Sequence, residues 1–276
     1  MSLTAPDFTY VADLVHRESA ITLAPGKEYL VEARLLPVAR DTGHGTVPAL
    51  VAELKGRPMG ELHRKVIDAM TTNETSWFRD RAPFTALADD LLGELIARRS
   101  RERKLRIWSA ACSSGQEPYS IIMAITDRLA AAGFGLEVLA TDLSEEMLER
   151  ARAGRYNQLE VNRGLAANLL VRHFTRAGIG WQVSEELRRA VTFRSMNLAV
   201  PFPPMMQMDV IFLRNVLIYF DAPTKARVLN SMSRVLRPDG YLFLGGAETT
   251  INIDPRFERI TSSGATVYRF RGEATG

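Results

Sequence analysis

Short apolar segments alternate with amphipathic helical patterns over the second part of this 276-residue chain. The apolar segments begin at Leu105, Leu136, Ala190, Met208 and Tyr241. Strands that alternate with helices form βαβ units, in which successive strands run parallel in one sheet. The alternation therefore predicts an α/β domain over residues 105–276 with a mostly parallel, doubly wound sheet. Such a sheet binds its ligand at the carboxyl ends of its strands.

Two segments depart from this alternation. About 33 residues separate the second helical pattern from the strand near Val191, whereas a helix-to-strand loop usually has about 2–6 residues. This segment contains a helical pattern, "GLAANLLVRHF", and a hairpin pattern, "TRAGIGWQV". It predicts a small inserted β-subdomain over residues 158–190. The last two segments, "FERITSSG" and "TVYRF", predict an antiparallel hairpin.

Apolar residues recur at helical spacing over the first 75 residues. Glycine and proline turn signals in "TLAPGK" and "DTGHGTVP" separate the helical segments. Residues 1–75 are therefore predicted to form a small all-α domain, and residues 76–104 a helical linker to the sheet. Pro37 is expected to end or kink the second helix.

The formal charge of +3 comes mainly from one basic segment, "RRSRERKLR", over residues 98–106. These cations follow a helical pattern, where they favour the negative end of the helix dipole. A patch that binds a partner is the alternative. Because acidic residues outnumber basic ones over residues 1–75, the charge does not predict a nucleic-acid partner.

The single cysteine, Cys112, cannot form an internal disulfide. The chain lacks an apolar run of about 18 residues and a secretory pattern near its first residues. A cytoplasmic location without insertion into a membrane is therefore expected.

The segment "WSAACSSGQEPYS" joins the first strand of the α/β domain to the following helix, where a nucleotide-binding loop is expected. Its small residues allow a ligand to approach the backbone closely, but the G-x-G-x-x-G pattern of a dinucleotide loop is absent. Glu117 lies where a phosphate would bind the helix N-terminus, so the loop favours a neutral or cationic ligand. A helix capped by Ser113 or Ser114, with Glu117 in a capping box, is the alternative.

Asp142 ends the second strand, in "LATDLS". An acid at this position typically accepts hydrogen bonds from both hydroxyls of a ribose. Helix capping is the alternative, although Ser144 can cap the helix without Asp142. A ribose next to a loop that tolerates a cation indicates S-adenosylmethionine, whose sulfonium is positive, rather than NAD.

Arg214 and Asn215 end the apolar segment "MDVIFLRN". In a sheet of this kind, the carboxyl end of that strand is where a methyl acceptor meets the sulfonium, although solvation of the strand end is the alternative. The stretch "RNVLIYF" differs from the Asn/Asp-Pro-Pro-aromatic stretch of methyltransferases that act on base amino groups. This difference disfavours an exocyclic nitrogen as the acceptor.

The segment "TTNETSWFRD", over residues 71–80, combines hydroxyls, an amide, an aromatic ring and a guanidinium. These groups are expected to form a lid over the bound ligand, with Trp77 as an aromatic wall.

Six stretches together resemble the CheR family, the chemotaxis receptor glutamate O-methyltransferases. They are "TTNETSWFRD", "WSAACSSGQEPYSIIMAI", "LATDLS", "FRSMNL", "DVIFLRNVLIYFD" and "LRPDGYLFLGGAE". The resemblance implies a helical N-terminal domain and a class I (Rossmann-like) methyltransferase domain. It also implies methyl transfer from S-adenosylmethionine to glutamates of methyl-accepting chemotaxis receptors, with S-adenosylhomocysteine as the product. Neither a metal nor a nucleic acid is implied.

The resemblance assigns nine residues to the cofactor site. They are Asn73, Thr75, Arg79, Glu117, Asp142, Asn197, Leu198, Arg214 and Asn215. Asp142 matches the ribose acid, and Glu117 matches a contact to the methionine moiety. Asn197 and Leu198 match the adenine contacts.

Arg79 and Tyr219 are the expected catalytic residues, because they match positions at the reacting centre. A glutamate acceptor with a pKa near about 4.3 is ionised at neutral pH and needs no general base. Arg79 is expected to orient its carboxylate, and Tyr219 to set its angle to the methyl group. Three alternatives stay open: another acceptor such as RNA, a signalling module that binds the cofactor without turnover, and a nicotinamide oxidoreductase.

Some CheR members bind the receptor's C-terminal tail by strand addition to the inserted subdomain. Those members resemble one another in a longer, glycine-containing hairpin loop. The brief "TRAGIGWQV", Thr175 to Val183, predicts recognition that does not depend on a tail pentapeptide. Lys27, Arg34 and Arg40 are expected to contribute modestly to the electrostatics of receptor binding.

Overall fold

The computed structural model describes residues 3–271, and its contacts divide the chain into two compact units. The first unit comprises residues 1–72 and 219–224, and the second comprises residues 73–218 and 225–276. The domain limits expected from the sequence, at residues 75 and 104, stay a prediction. Within residues 3–271, no helix has both the length and the apolar character needed to cross a membrane.

Four helices form most of the first unit. They are α1 (Ala5–Ser19), α2 (Glu28–Asp41), α3 (Val47–Lys55) and α4 (Glu61–Met70). Thr4 and Thr46 precede α1 and α3, and their hydroxyls accept hydrogen bonds from N–H groups of the first turn. Val11, Leu35 and Leu50 are fully buried. This unit is the predicted all-α domain.

Pro37 was expected to end or kink the second helix, and it does not end it, because it lies inside α2. The helix continues to Asp41, and the Thr42 N–H donates to the Val38 carbonyl at 3.0 Å. Proline removes one donor from the helix, but Leu35 and Ala39, on either side of it, are fully buried. The burial of this face maintains the helix despite the missing hydrogen bond.

Arg34 connects α2 to the end of α4. Its guanidinium donates to the carbonyls of Met70 and Thr71 at 2.6 and 3.0 Å, and to the Thr72 hydroxyl at 2.8 Å. The last carbonyls of a helix have no partner within the helix, and a cation stabilises them. Arg34 therefore has a structural contact in the first unit, which the sequence did not predict.

Ten strands form two sheets in the second unit. They are β1 (Lys104–Ala110), β2 (Gly135–Asp142), β3 (Arg155–Tyr156), β4 (Phe174–Ala177), β5 (Gly180–Val183), β6 (Val191–Ser195), β7 (Met208–Leu213), β8 (Leu236–Leu244), β9 (Phe257–Ser262) and β10 (Ala265–Phe270). The larger sheet has the order β6-β2-β1-β7-β8-β10-β9. Its first five strands are parallel, and β10 pairs antiparallel with β8 and β9. This arrangement confirms the predicted sheet and its final hairpin.

The remaining helices are α5 (Ala82–Thr85), α6 (Leu92–Arg98), α7 (Gln116–Ala131), α8 (Glu145–Ala153), α9 (Gln158–Asn162), α10 (Ala167–His173), α11 (Glu185–Arg189) and α12 (Ala222–Val235). A π-helix, Ala86–Leu91, joins α5 to α6. Phe84, Leu87 and Leu95 from this helical segment share one buried cluster with Ile107 of β1. The segment expected to be a linker therefore forms part of the core beneath the sheet.

The inserted segment contains the second sheet, which has the order β3-β5-β4 and is antiparallel. Gly178 and Ile179 form the turn between β4 and β5, and Gly178 has a positive φ of 62°. A two-residue turn of this kind favours glycine because it requires positive φ. The predicted hairpin is confirmed, and the small sheet also includes Arg155 and Tyr156, before the expected start at residue 158.

Several arginines of the basic segment have acceptor groups within the second unit. Arg99 is buried and forms ion pairs with Asp209 and Asp239. Arg103 donates to the carbonyls of Ala132 and Gly133, just after α7, at 3.0 and 3.2 Å. These contacts support the structural interpretation of the segment rather than a patch for a partner.

Candidate functional site

Six of the predicted cofactor residues, all except Asn73, Thr75 and Arg79, lie near the carboxyl ends of four neighbouring strands. Asp142 ends β2, Asn197 follows β6, and Arg214 and Asn215 follow β7. Glu117 lies in the first turn of α7, which follows β1. From the central pair β1 and β7, the strand order runs outward through β2 on one side and through β8 on the other. The point between β1 and β7 is therefore the topological switch point, which is where open α/β sheets bind ligands.

The loop between β1 and α7 has a constrained backbone. Ala111, Ser113 and Gly115 have φ values of 65°, 48° and 94°. Residues other than glycine rarely adopt positive φ, and such residues cluster at functional sites. A Cβ atom on Gly115 would lie 2.8 Å from the Cβ of Ala151, so α8 approaches the loop too closely for a side chain there.

The Asp142 carboxylate is buried and accepts two hydrogen bonds from the backbone. The N–H groups of Ser113 and Ser144 donate to its two oxygens at 2.7 and 3.0 Å. Burial raises the pKa of Asp142, whereas the backbone donors act in the opposite direction. The Ser144 hydroxyl caps α8 by accepting from the Met147 N–H, so the helix does not need Asp142 as its cap. Carboxylate oxygens accept more than one donor each, which leaves capacity for hydroxyl groups of a ligand.

The Glu117 carboxylate is 9% exposed and has two side-chain partners. The Ser109 hydroxyl donates to it at 2.7 Å, and the Arg214 guanidinium donates at 3.1 Å. Burial raises the pKa of Glu117, and Arg214 and Ser109 partly offset this effect. The capping-box alternative is wrong, because Gly115 is the N-cap of α7 and no side chain caps that helix.

Arg214 connects three parts of this site, and its side chain is only 1% exposed. Besides Glu117, it donates to the Asp80 carboxylate at 2.6 Å and to the Arg79 carbonyl at 2.9 Å. Its buried Nε has no hydrogen-bond partner in the part of the chain that the structure describes. Buried donors without a partner are rare in folded proteins, so this N–H is available to a bound group.

Residues 73–81 lie against the β1–α7 loop and the start of α7. The Ser113 hydroxyl donates to the Asn73 carbonyl at 2.7 Å, and the Phe78 N–H donates to the Ser120 hydroxyl at 3.0 Å. These bonds place the segment beside the cofactor loop predicted from the sequence.

The same segment has a strained backbone next to its polar side chains. Phe78, Asp80 and Arg81 have φ values of 47°, 66° and 45°, a conformation that costs free energy in residues other than glycine. Thr75 and Arg79 are half-buried, and the Arg79 guanidinium donates to a carbonyl of its own segment at 3.0 Å. The Arg79 side chain therefore remains partly accessible.

Trp77 is 1% exposed and lies in an aromatic cluster. Its ring centroid lies 4.9 Å from that of Tyr156, 5.2 Å from that of Phe174 and 6.5 Å from that of Tyr119. The expectation that Trp77 forms a wall over the ligand is wrong, because its ring faces the inserted segment and α7. Trp77 instead anchors residues 73–81.

Asn197 and Leu198 follow β6 and lie close to the end of β2. The Met196 N–H donates to the Asp142 carbonyl at 2.9 Å, and the Asn197 side chain accepts from the Ala199 N–H at 2.9 Å. Leu198 is buried. Met196, which directly precedes Asn197, thus joins the end of β6 to the end of β2, and the contacts of Asn197 and Leu198 to adenine stay a prediction.

Comparison with protein-family models gives two matches that together cover most of the chain. The model for the CheR methyltransferase SAM-binding domain matches residues 73–266, and the model for the CheR all-alpha domain matches residues 6–71. The chain belongs to the CheR methyltransferase family.

Relatives within this family match almost the full length. The chemotaxis protein methyltransferase Cher2 of Pseudomonas putida is 39% identical over 274 residues, which are 98% of this chain and 99% of the relative. Chemotaxis protein methyltransferase 1 of Pseudomonas aeruginosa is 41% identical with the same coverage. The chemotaxis protein methyltransferase of Vibrio parahaemolyticus is 38% identical over 275 residues, with 98% and 99% coverage.

Membership of the CheR family confirms the predicted fold, and it shows that the chain is a methyltransferase that uses S-adenosylmethionine. The residues present fit this cofactor. Asp142 offers buried acceptor oxygens, Glu117 offers a buried anion, and the Arg214 Nε is a buried donor without a partner. Residues 3–271 contain no group of three or more His, Cys, Asp or Glu side chains placed to hold a metal ion.

Two further residues of this CheR-family site received no role from the sequence. The Tyr156 hydroxyl donates to the Ser114 carbonyl at 2.6 Å, so the first strand of the inserted segment supports the β1–α7 loop. A tyrosine that begins an insertion carries no local signal for this contact, which joins residues 42 positions apart.

Glu248 is the second of these residues. Its carboxylate accepts hydrogen bonds from the N–H groups of Asn215, Val216 and Leu217 at 2.8, 2.8 and 2.7 Å. The N–H groups of Ile218 and Gly245 donate to it as well, at 3.4 and 2.6 Å. One side chain after β8 thus holds the loop that follows β7. The acid at the end of "YLFLGGAE", just after a predicted strand, was the sequence signal that could have indicated this role.

Tyr219 belongs to the first compact unit, unlike the other assigned residues. It ends a 3-10 turn, Leu217–Tyr219, and its carbonyl accepts from the Thr22 N–H at 3.0 Å. Its catalytic role stays a prediction.

Proposed function

We propose that this CheR-family methyltransferase transfers the methyl group of S-adenosylmethionine to glutamate side-chain carboxylates of chemotaxis receptors. The observation that carries the proposal is its likeness, over 98% of the chain, to proteins named chemotaxis protein methyltransferases. The site chemistry agrees with a carboxylate acceptor. None of the assigned site residues is a His or Lys, and an acceptor already ionised at neutral pH needs no general base.

The proposed cofactor contacts are those that the resemblance to the CheR family implies, and the chemistry of the side chains agrees with them. Asp142 accepts the ribose hydroxyls, and Glu117 receives the methionine ammonium. Asn197 and Leu198 border the adenine, and Arg214 donates its free N–H to the methionine end. Asn73, Thr75, Arg79 and Asn215 complete the cofactor site.

Bound S-adenosylmethionine supplies an electrophilic methyl group on a sulfonium. The task of the protein is to bring a carboxylate oxygen in line with that group and to exclude water, because water stabilises separated charges that the transition state cancels. Orientation contributes up to about 7–11 kcal/mol in well-aligned reactions. Arg79 contacts the acceptor carboxylate transiently, since a firm bidentate pair would lower its nucleophilicity, and Tyr219 sets its angle.

Asp142→Asn is expected to weaken S-adenosylmethionine binding by roughly ten- to a hundred-fold, because charge-assisted hydrogen bonds to the ribose are lost. Calorimetric titration of the folded variant measures this change. Asp127→Asn, at an exposed carboxylate of α7, is the control and should bind as the wild type does. Wild-type affinity in Asp142→Asn would remove Asp142 from the cofactor site.

Arg79→Ala and Tyr219→Phe are expected to reduce kcat by roughly ten- to a hundred-fold while cofactor affinity changes little, because both groups act on acceptor geometry. Steady-state methylation of receptor fragments, paired with calorimetry, separates the two quantities. Arg81→Ala removes an exposed guanidinium two residues from Arg79 and should leave kcat unchanged. A variant that methylates at the wild-type rate would have no catalytic role at that position.

The acceptor is tested directly with a tritiated methyl donor and cytoplasmic receptor fragments. Transfer to glutamate produces a methyl ester that base hydrolyses to volatile methanol. Label that survives base, or that appears in RNA, would indicate another acceptor, and cofactor binding without transfer would indicate a signalling module. Reduction of a nicotinamide by the same protein would indicate an oxidoreductase.

The enzyme acts in the cytoplasm, where it meets the methylated part of the receptor, and it does so without a tail pentapeptide. The turn between β4 and β5 has only two residues, Gly178 and Ile179, and this short turn supports recognition without a tail pentapeptide. Measurable binding of a receptor-tail pentapeptide that depends on residues 175–183 would contradict it.

A further inference from the structure

A cleft lies beside the cofactor site, and we call it the hairpin cleft. Its lining includes Asp80, Pro83, Arg214 and Glu248, together with Arg259 and Thr266 of the β9–β10 hairpin. Its cavity volume is about 470 Å³, within the range of about 300–1,000 Å³ that ligand sites occupy. Of the nine residues assigned to the cofactor, Arg214 is the one that lines this cleft.

Internal contacts engage three of the four charged side chains that line the hairpin cleft. Arg214 is almost fully buried and pairs with Glu117 and Asp80. The Glu248 carboxylate accepts five backbone N–H groups. Both terminal nitrogens of Arg214 and the Glu248 carboxylate are therefore engaged, and only the buried Arg214 Nε, which is proposed to face the cofactor, lacks a partner.

Arg259 is different. It is exposed, and its guanidinium donates to the Thr266 hydroxyl at 3.3 Å. Within residues 3–271, no carboxylate forms an ion pair with it. An unpaired guanidinium on the wall of a polar cleft attracts a carboxylate, with which it forms directed hydrogen bonds.

Arg214 lines the hairpin cleft and also donates to Glu117, where the methionine end of the cofactor is proposed to bind. An acceptor glutamate that reaches the methyl group past Arg214 therefore brings its neighbouring residues into the cleft. We infer that the hairpin cleft is a subsite for the receptor chain and that Arg259 binds an acidic side chain flanking the acceptor glutamate. This inference rests on the proposed function and names the residue that selects acidic acceptor segments.

The test compares Arg259→Gln, Arg259→Glu and Arg259→Lys in steady-state methylation of a receptor cytoplasmic fragment. We expect the KM for receptor to rise about five-fold in Arg259→Gln and about ten-fold or more in Arg259→Glu, because a like charge then faces the acidic side chain. Arg259→Lys should recover part of the loss. The dissociation constant for S-adenosylmethionine should stay at the wild-type value in all three, which a merely structural defect would not allow.

Arg101→Glu is the matched control. It makes the same charge change at an exposed position just before β1, at the amino end of that strand and away from the carboxyl ends that carry the site, and should leave the KM for receptor unchanged. A second arm uses receptor fragments in which the acidic residue flanking the acceptor is changed to Lys. These altered receptor fragments should be poor substrates for the wild type and better substrates for Arg259→Glu.

Two outcomes would overturn the inference. One is a KM for Arg259→Glu equal to that of the wild type, and the other is an equal rise in Arg101→Glu. These outcomes are distinct from failure of the proposed function, because the wild type would still form the base-labile methyl ester. If the wild type forms no ester on any receptor fragment, the proposed function itself fails.

Discussion

Arg214→Met is expected to lower both stability and cofactor affinity. The variant should be more stable at acidic than at neutral pH, whereas its cofactor affinity should be lower at acidic pH. Arg214 and Glu117 form a buried ion pair, and removal of one partner from such a pair costs about 3–5 kcal/mol. In the variant, Glu117 keeps the Ser109 hydroxyl as a partner, but burial continues to raise its pKa. The pKa of Glu117 should therefore lie further above its ordinary value of 4.5 than in the wild type.

The sign of the pH effect follows from this raised pKa. A carboxyl group whose pKa is higher in the folded than in the unfolded state binds more protons when folded, so stability falls as pH rises from 4.5 through the folded pKa. Denaturant unfolding of Arg214→Met should thus show greater stability at acidic pH than at neutral pH. Cofactor affinity should change in the other direction, because only the ionised Glu117 attracts an ammonium group.

The double variant Arg214→Met/Glu117→Gln separates these two effects. It removes the buried charge, so it should regain stability at neutral pH and lose the pH dependence, while cofactor affinity stays low. Equal stability of Arg214→Met at acidic and neutral pH, or full cofactor binding by the double variant, would contradict the role given to this pair.

Glu248→Gln is expected to destabilise the second unit by roughly 2–4 kcal/mol and to reduce kcat at least about ten-fold. The carboxylate accepts five N–H groups, whereas a glutamine amide presents N–H donors in place of one oxygen. At least one backbone donor then loses its acceptor. The loop after β7 carries Arg214 and Asn215, so its displacement should reduce methyl transfer as well as stability.

Denaturant unfolding and steady-state methylation measure the two effects of Glu248→Gln. Glu258→Gln is the matched control. Glu258 lies on β9 and forms an exposed ion pair with Arg271. That variant should show no measurable change in either quantity. Unchanged stability of Glu248→Gln would show that the loop after β7 keeps its conformation without the five hydrogen bonds.

The elements of the sheet could be predicted because each has a local pattern. The apolar runs at β1, β2 and β7 and the helical spacing in α7 and α8 depend on residues close in sequence, and so does the position of Asp142 at a strand end. The hairpins at residues 175–183 and 257–270 were also identified from turn residues. Pro37 shows the limit of such local rules, since burial of both neighbouring turns maintained α2 through the proline.

The roles of Trp77 and Glu117 could not be read from their immediate neighbours. Trp77 lies in a polar segment, yet it packs against Tyr156 and Phe174 in the inserted segment. Glu117 lies where a capping box would place it, but Gly115 takes the N-cap position and the carboxylate turns inward to Ser109 and Arg214.

The sequence by itself determined the type and order of the elements, the class of the fold and the sheet edge that carries Asp142, Arg214 and Asn215, because these depend on hydrophobic period and on strand ends. Only the tertiary structure decided which polar groups pair at that edge. Arg214 meets Asp80 across 134 positions, and Glu248 meets the loop after β7 across about 30. A buried charge takes the partner that folding brings within hydrogen-bond distance, and no local pattern in the chain encodes that distance.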